Sequence, residues 1–405
     1  MQSMTVGGVR FGAGLAVLDD LDGDGLPEIA VGAPESRAVG NSTGSVLILD
    51  GRTWRVVRRI DGVPDRRWFG WTMSRVEDLD GDGRCELAVE DWAAERTGHP
   101  TIDARHSLTL VSSGSAAKLR VLPGNERWLG DAGTGDGRLC ILRSATNSCS
   151  VLSTTLFTQV RSIQDASWRE MCCVSGDHDR NDFSFVTVAV DGEKTRIALR
   201  GLGEKPEIES TCTWPLLAVD RSELYGVCAL RLDLDGDHVP ELVGGFPNAN
   251  GEAGVVVILS GKDVAVLRTH TLFKGSNREG DETEFGHSLA AVPDVDGDGI
   301  EEIAVGAPGW PSRDSGVHLL SGVTGKKLWF YLDGQRGGEL GTNLSIYPDL
   351  DGDGRADLLV TGGDYDIHGE WYDNASLRVL SSRTGRCLRY VSEHDYPELS
   401  VTSVH

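Results

Sequence analysis

The phrase Phe11-Gly12, followed by Asp20-Leu-Asp-Gly-Asp-Gly-Leu-Pro-Glu28-Ile-Ala-Val-Gly-Ala-Pro34, decides the fold because it keeps returning along the chain. It recurs as Phe69-Gly70 with Asp78-Leu-Asp-Gly-Asp-Gly-Arg-Cys-Glu86. Later copies are Tyr225-Gly226 with Asp233 to Glu241, Phe285-Gly286 with Asp294 to Glu302 and Ile-Ala-Val-Gly-Ala-Pro308, and Leu340-Gly341 with Asp349 to Asp357. The acidic runs start at 20, 78, 233, 294 and 349, so one interval of 155 stands among intervals of 58, 61 and 55. That interval fits three units, and two decayed copies fill it. Gly135-Asp136-Gly137-Arg138-Leu139-Cys140 matches Gly81 to Glu86, and Trp168 precedes Asp177 by the nine residues that separate Phe69 from Asp78.

Each clear unit carries short β-rich runs bounded by Gly, Asp and Pro. In the first these are Leu15-Ala-Val-Leu18, Glu28-Ile-Ala-Val31, Ser45-Val-Leu-Ile-Leu49 and Trp54 to Ile60, with Asp50-Gly51 turning the last two into a hairpin. No comparable helical periodicity occurs. The chain therefore reads as all-β, a seven-bladed β-propeller of four-stranded antiparallel blades in one domain over 1–405. The blades are expected near 11–60, 61–122, 123–160, 161–214, 215–272, 273–331 and 332–392, with a short tail at 393–405. Two β-sandwiches would instead break the repeat phase near the middle.

Composition agrees with a packed repeat. Glycine makes up 52 of the 405 residues and is spread evenly, with no linker or low-complexity tract. Hydrophobic residues at 39% suffice for a core, and no apolar run approaches the ~20 residues of a membrane helix. The net charge of −23 argues against a nucleic-acid partner, which needs clustered Lys and Arg. The start, Met1 to Gly8, lacks the basic and apolar stretches of a signal peptide, so the chain is expected either to be intracellular or to have had its leader removed.

The spacing Asp-x-Asp-Gly-Asp-Gly-x-x-Glu places carboxylates at positions one, three, five and nine of a tight loop, and position seven offers a backbone carbonyl. Hard oxygen ligands in that number suit Ca²⁺; Mg²⁺ demands a stricter octahedron and Zn²⁺ prefers His or Cys. An ordinary acidic surface turn explains one such loop but not five. The expected ligand sets are Asp20, Asp22, Asp24, Leu26 and Glu28; Asp78, Asp80, Asp82, Arg84 and Glu86; Asp233, Asp235, Asp237, Val239 and Glu241; Asp294, Asp296, Asp298, Ile300 and Glu302; and Asp349, Asp351, Asp353, Arg355 and Asp357. Five ions would bring the charge from −23 to about −13. His238 replaces a glycine in the loop at Asp233, predicting a weaker site, and the loop at Asp177, with Phe185 in the ninth position, is expected to be empty.

Phe-Gly, the acidic loop and Val-Gly-Ala-Pro, together and repeated, resemble the FG-GAP repeats of integrin α-subunit propellers and related bacterial surface and secreted proteins. The resemblance covers about 11–390 and departs in the third and fourth units. It implies a seven-bladed propeller with calcium in the loops joining the first and second strands of a blade. No Arg-Gly-Asp-type ligand or second integrin domain is present, so an integrin role does not carry over.

No His-Glu-x-x-His, phosphate loop or Cys-x-x-Cys is found, and no catalytic residue is assigned. The leading expectation is a non-enzymatic binding or adhesion module for a protein or glycan, monomeric, and extracellular, at the cell surface or periplasmic. Weak calcium loops of this kind work at ~10⁻⁴–10⁻³ M in extracellular modules. The alternatives are a polysaccharide lyase or hydrolase on a calcium-stabilised propeller and a rigid spacer of a larger surface protein. Eight cysteines leave disulfides and buried thiols both open, with Cys140 and Cys149 flanking a short turn, and Cys172 and Cys228 near the starts of neighbouring units.

The ligand is expected on the face opposite the calcium loops, where the second-to-third connections are long in units two, six and seven. These hold Trp92 and His99, then Trp310, then Asp364, Tyr365, Asp366, His368, Trp371 and Tyr372. Exposed aromatics beside carboxylates suit sugar stacking or a protein anchor, although the tryptophans equally suit packing between blades.

Overall fold

The computed structural model describes residues 10–38, 41–63, 66–76, 78–93, 106–123, 126–134, 137–144, 148–153, 159–164, 170–177, 182–191, 194–201, 208–213, 231–232, 241–247, 249, 253–263, 265–272, 283–309, 316–332, 339–362, 375–392 and 395–396; for 122–240 the strands alone are described. Among these residues the strands make six four-stranded antiparallel sheets, one five-stranded sheet and a two-stranded ribbon. The sheets cover 15–61, 66–123, 126–164, 170–213, 231–270, 288–331 and 343–392. The four-stranded ones run in chain order from neighbour to neighbour, and in the five-stranded one both Arg66–Arg67 and Met73–Val76 pair with Glu86–Ala93, with Met73–Val76 taken as its first strand. The chain is all-β and propeller-like.

The sequence of each strand fits its place. In the first sheet the middle strands, Ile29–Ala33 and Ser45–Leu49, are apolar or small throughout and buried on both faces. The outermost strand, Val56–Asp61, is only partly covered: Val57 and Asp61 are exposed, and Arg58 and Arg59 are half-buried. Such two-sided burial needs a neighbour on each face. Phe69, Leu87, Val89 and Val111 of the second sheet pack against Val46 and Ile48 of the first. The fifth and sixth sheets share a second cluster, and the sixth and seventh a third. In a fourth, Phe11, Ile29 and Leu47 of the first unit pack with Tyr347, Leu359, Leu377 and Tyr396 at the chain's other end.

The repeated glycines have a steric reason. A Cβ on Gly32, in Val-Gly-Ala-Pro, would lie 1.9 Å from the carbonyl oxygen of Gly70, in the next unit's Phe-Gly. Gly245 meets Gly286 and Gly306 meets Gly341 in the same way. Each motif is thus half of a backbone-to-backbone contact between successive sheets, and no side chain fits there. At the junction of last and first units Thr361 takes the place of the first glycine, and the Cβ of an alanine at Gly12 would sit 3.0 Å from its Cβ.

A second repeated contact was not foreseen. Near the start of the outermost strand Leu49 faces Val56 but Ile48 faces Arg58, which leaves Val57 bulged and 48% exposed. The bulge re-aims the next side chain. Arg58 Nη1 donates to Ser113 O of the second sheet at 2.6 Å. After the same bulge, Arg268 Nη1 donates to Gly322 O at 3.1 Å and Trp329 Nε1 to Ser382 O at 2.7 Å, each in the following sheet. From the seventh sheet Arg389 Nη1 donates to Arg52 O of the first at 2.5 Å.

Candidate metal centre and the opposite face

The acidic loops join the first and second strands of their sheets. In each described loop the first carboxylate organises the turn. Asp20 accepts from the amides of Gly23 at 2.6 Å and Gly25 at 2.8 Å, and Asp78, Asp294 and Asp349 repeat the pattern. Both glycines of every such loop have φ between 80° and 92°, the left-handed region. A Cβ would meet nothing there, so backbone conformation and not space selects glycine. Amide donation, from Gly25 first, holds the Asp20 carboxyl below the usual range, and Gly354 does the same for Asp349.

The ninth carboxylate lies at the start of the second strand and is buried. Glu28, Glu86, Glu241, Glu302 and Asp357 are all 2% exposed or less. Burial pushes Glu86 and Glu302 up to about 7 and Asp357 up to about 6. The residue after the first aspartate donates its amide to the ninth: Leu21 to Glu28, Leu79 to Glu86, Val295 to Glu302 at 2.8 Å and Leu350 to Asp357 at 2.8 Å. Residues in the seventh position, Leu26, Arg84, Ile300 and Arg355, donate their amides to the fifth carboxylate.

Carboxylate oxygens of Asp78, Asp80, Asp82 and Glu86 lie within 4.8 Å of one another, and so do those of Asp294, Asp296, Asp298 and Glu302. Asp349, Asp351 and Asp353 form a group of three without Asp357. The first loop splits: Asp20, Asp22 and Glu28 make one group, while Asp24 gathers with Asp22 and Asp50. All of these groups are fit to hold a metal ion. Glu86 adds a test of that fit, since its Oε1 is buried and has no hydrogen-bond partner in the protein. A hard cation satisfies such an oxygen, and an all-carboxylate set is the donor chemistry such a cation takes.

Asp50 escaped the sequence reading. The turns between third and fourth strands begin at Asp50, Ser112, Ser260, Ser321 and Ser381, and in each the side-chain oxygen accepts an amide of its own turn. Aligning these turns, not only the loops, singles out the one that starts with an acid.

The loop 233–240 lies outside the described residues, so of its expected ligands only buried Glu241 is placed. His99, Trp310, Asp364, Tyr365, Asp366, His368, Trp371 and Tyr372 also lie outside them; Trp92 sits on strand Glu86–Ala93 opposite His106. The opposite end of the sheets does carry one aromatic group that sequence reading missed. Half-buried Trp68 and Trp71 stack with centroids 5.3 Å apart, and the Arg10 guanidinium lies 5.1 Å from the Trp71 ring while pairing with Glu35 at 3.0 Å. Cys85 and Cys387 are free thiols. Cys140 faces Leu152 and Cys149 faces Arg143, so the backbone register does not set those two cysteines opposite each other.

Residues 11–49 and 285–320 match the FG-GAP repeat. The chain carries FG-GAP repeats and resembles integrin α-subunits. It is 30% identical over 176 residues to integrin alpha-PS2 of Drosophila melanogaster, covering 40% of this chain and 12% of that protein. Integrin alpha-5 of Xenopus laevis is 34% identical over 113 residues, covering 25% and 11%, and integrin alpha-X of Mus musculus 38% over 88 residues, covering 20% and 7%. The chain thus spans about a tenth of the length of these relatives. Among solved structures, the computationally designed Ika8 protein overlaps 95% of this chain and 88% of its own, with a TM-score of 0.47 and 14% identity. No helix among the described residues is long and apolar enough to cross a membrane.

Proposed function

We propose that the chain is a calcium-stabilised propeller of seven blades, one domain with the boundaries given above, whose role is non-enzymatic binding or adhesion outside the cell. The observation that carries this is the recurrence of one carboxylate group in the acidic loops of four separate sheets. Packing of Phe11 and Leu47 with Leu377 and Tyr396 supports a ring closed between its first and last units. Each loop would hold one Ca²⁺ through the carboxylates at positions one, three, five and nine, with the loop at Asp233 as the fifth site. The ion would relieve like-charge crowding and satisfy Glu86.

A protein or glycan ligand fits the face opposite the loops. Trp68, Trp71 and Arg10 offer stacking surface there, with Trp92 on the second sheet and Trp310 and Trp371 in the long connections of the sixth and seventh units. The resemblance to integrin α-subunits favours adhesion, and calcium loops of modest affinity favour the extracellular side.

Thermal melts test the calcium reading. A ligand that binds only the folded chain adds about 2.7 kcal/mol per site at a hundredfold excess over its Kd. For several sites in a chain of 405 residues the midpoint should rise by roughly 10 °C from chelator to millimolar Ca²⁺. An unchanged midpoint refutes it.

A further inference from the structure

We infer that Arg52 is a tethered cation competing with Ca²⁺ at the first acidic loop, which makes that loop the weaker of the complete sites. This rests on the calcium reading of the loops.

The turn between third and fourth strands lies beside the acidic loop of its own sheet. A Cβ on Gly114 would sit 2.5 Å from Asp82 Oδ2, one on Gly322 would sit 2.1 Å from Glu301 O, and Ser382 N donates to Asp357 Oδ1 at 3.4 Å. The second residue (Gly322, Ser382) and the third (Gly114) of that turn thus border the loop, and the third varies: Arg52, Gly114, Lys262, Val323 and Arg383. Arg52 Nε donates to Asp24 Oδ2 at 2.7 Å, and its Nη2 donates to Asp24 O at 2.7 Å. This two-point grip coincides with the split of the first loop, where Asp24 gathers with Asp22 and Asp50 and not with Asp20 and Glu28.

The seventh sheet supplies the control. Arg383 holds the same turn position, yet among the described residues it makes no ion pair, and Asp353 stays grouped with Asp349 and Asp351. Two differences separate the turns. The first begins with Asp50 where the seventh has Ser381, which puts a further negative charge beside the guanidinium. The Arg52 carbonyl is also fixed from the seventh sheet by Arg389 at 2.5 Å, which holds the turn in place.

For Ca²⁺ to use the fifth ligand, the Asp24 carboxylate must leave Arg52 and one positive charge must approach another. Arg52 is 59% exposed on its side chain, so the competition is screened and worth roughly two- to fivefold in affinity.

Calorimetric titration of the metal-stripped protein with Ca²⁺ tests this. Asp20→Ala, or Asp22→Asn should that variant not fold, identifies the first site as the one lost. Arg52→Gln is expected to tighten that site roughly two- to fivefold, while Arg383→Gln leaves every site as it was. An unchanged or weakened first site in Arg52→Gln overturns the inference while leaving the calcium reading intact, whereas no calcium heat in the unaltered protein overturns both.

Discussion

The second and sixth acidic loops bring four carboxylates to one point, whereas the first and seventh bring three. The first, second and sixth spell the same motif, so the first loop's difference comes from outside it, from Asp50 and Arg52 on a turn about 25 residues later. In the seventh the cause lies inside the motif. Asp357 is one methylene shorter than Glu86 or Glu302, and its two oxygens accept from Leu350 N and Ser382 N. The ninth-position carboxylate of an acidic loop thus depends on the motif's own residue, whereas the fifth-position carboxylate can be drawn away by a neighbouring turn.

The largest expected effect is on pH dependence. Glu86 and Glu302, pushed up to about 7, and Asp357, pushed up to about 6, hold protons in the fold that the unfolded chain releases near its ordinary carboxylate values. With more protons bound to the folded state, unfolding free energy falls as pH rises. The chelated protein should therefore melt lower at pH ~8 than at pH ~5 on account of these groups, and calcium should remove that fall. A chelated protein that instead melts higher at the alkaline end breaks this reading.

Next comes the contrast between loops. Asp296→Ala removes a ligand from a group of four and should lower the calcium-dependent midpoint by about 3 °C. Asp24→Ala, whose target already serves Arg52, should lower it by less; equal shifts would mean that the loops are equivalent. Asp357→Glu should then sharpen the comparison by extending the seventh group to four, seen as tighter calcium binding in titration. Least affected is Arg389→Ala, which removes one hydrogen bond worth about 1 kcal/mol between last and first sheets and should cost about 1 °C.

Much of the fold was legible because each motif marks a fixed structural event. Asp20 to Glu28 is a loop whose glycines need positive φ, and Phe69-Gly70 with the Val-Gly-Ala-Pro before it marks a backbone contact that excludes side chains. The strands of the first unit fall within a residue or two of their sequence placement, since apolar runs such as Ser45–Leu49 are buried on both faces. The latch of Arg58, Arg268 and Arg389 was hidden because it depends on a bulge, which leaves no signature in periodicity. Asp50 was hidden because a lone Asp-Gly reads as a hairpin turn, and its nearness to Asp24 follows only from the pairing of Ile29 with Leu49, which sets both turns at one end of the sheet. Trp68 and Trp71 were passed over because they border the Phe-Gly motif and not a long connection.

The central claim is that the repeated acidic groups are calcium sites. Its most direct measurement is the metal content of the protein after dialysis against millimolar Ca²⁺ with free ion counted separately. The account predicts about five bound ions per chain, one fewer in Asp296→Ala. No bound calcium, or the same count in that variant, would contradict it.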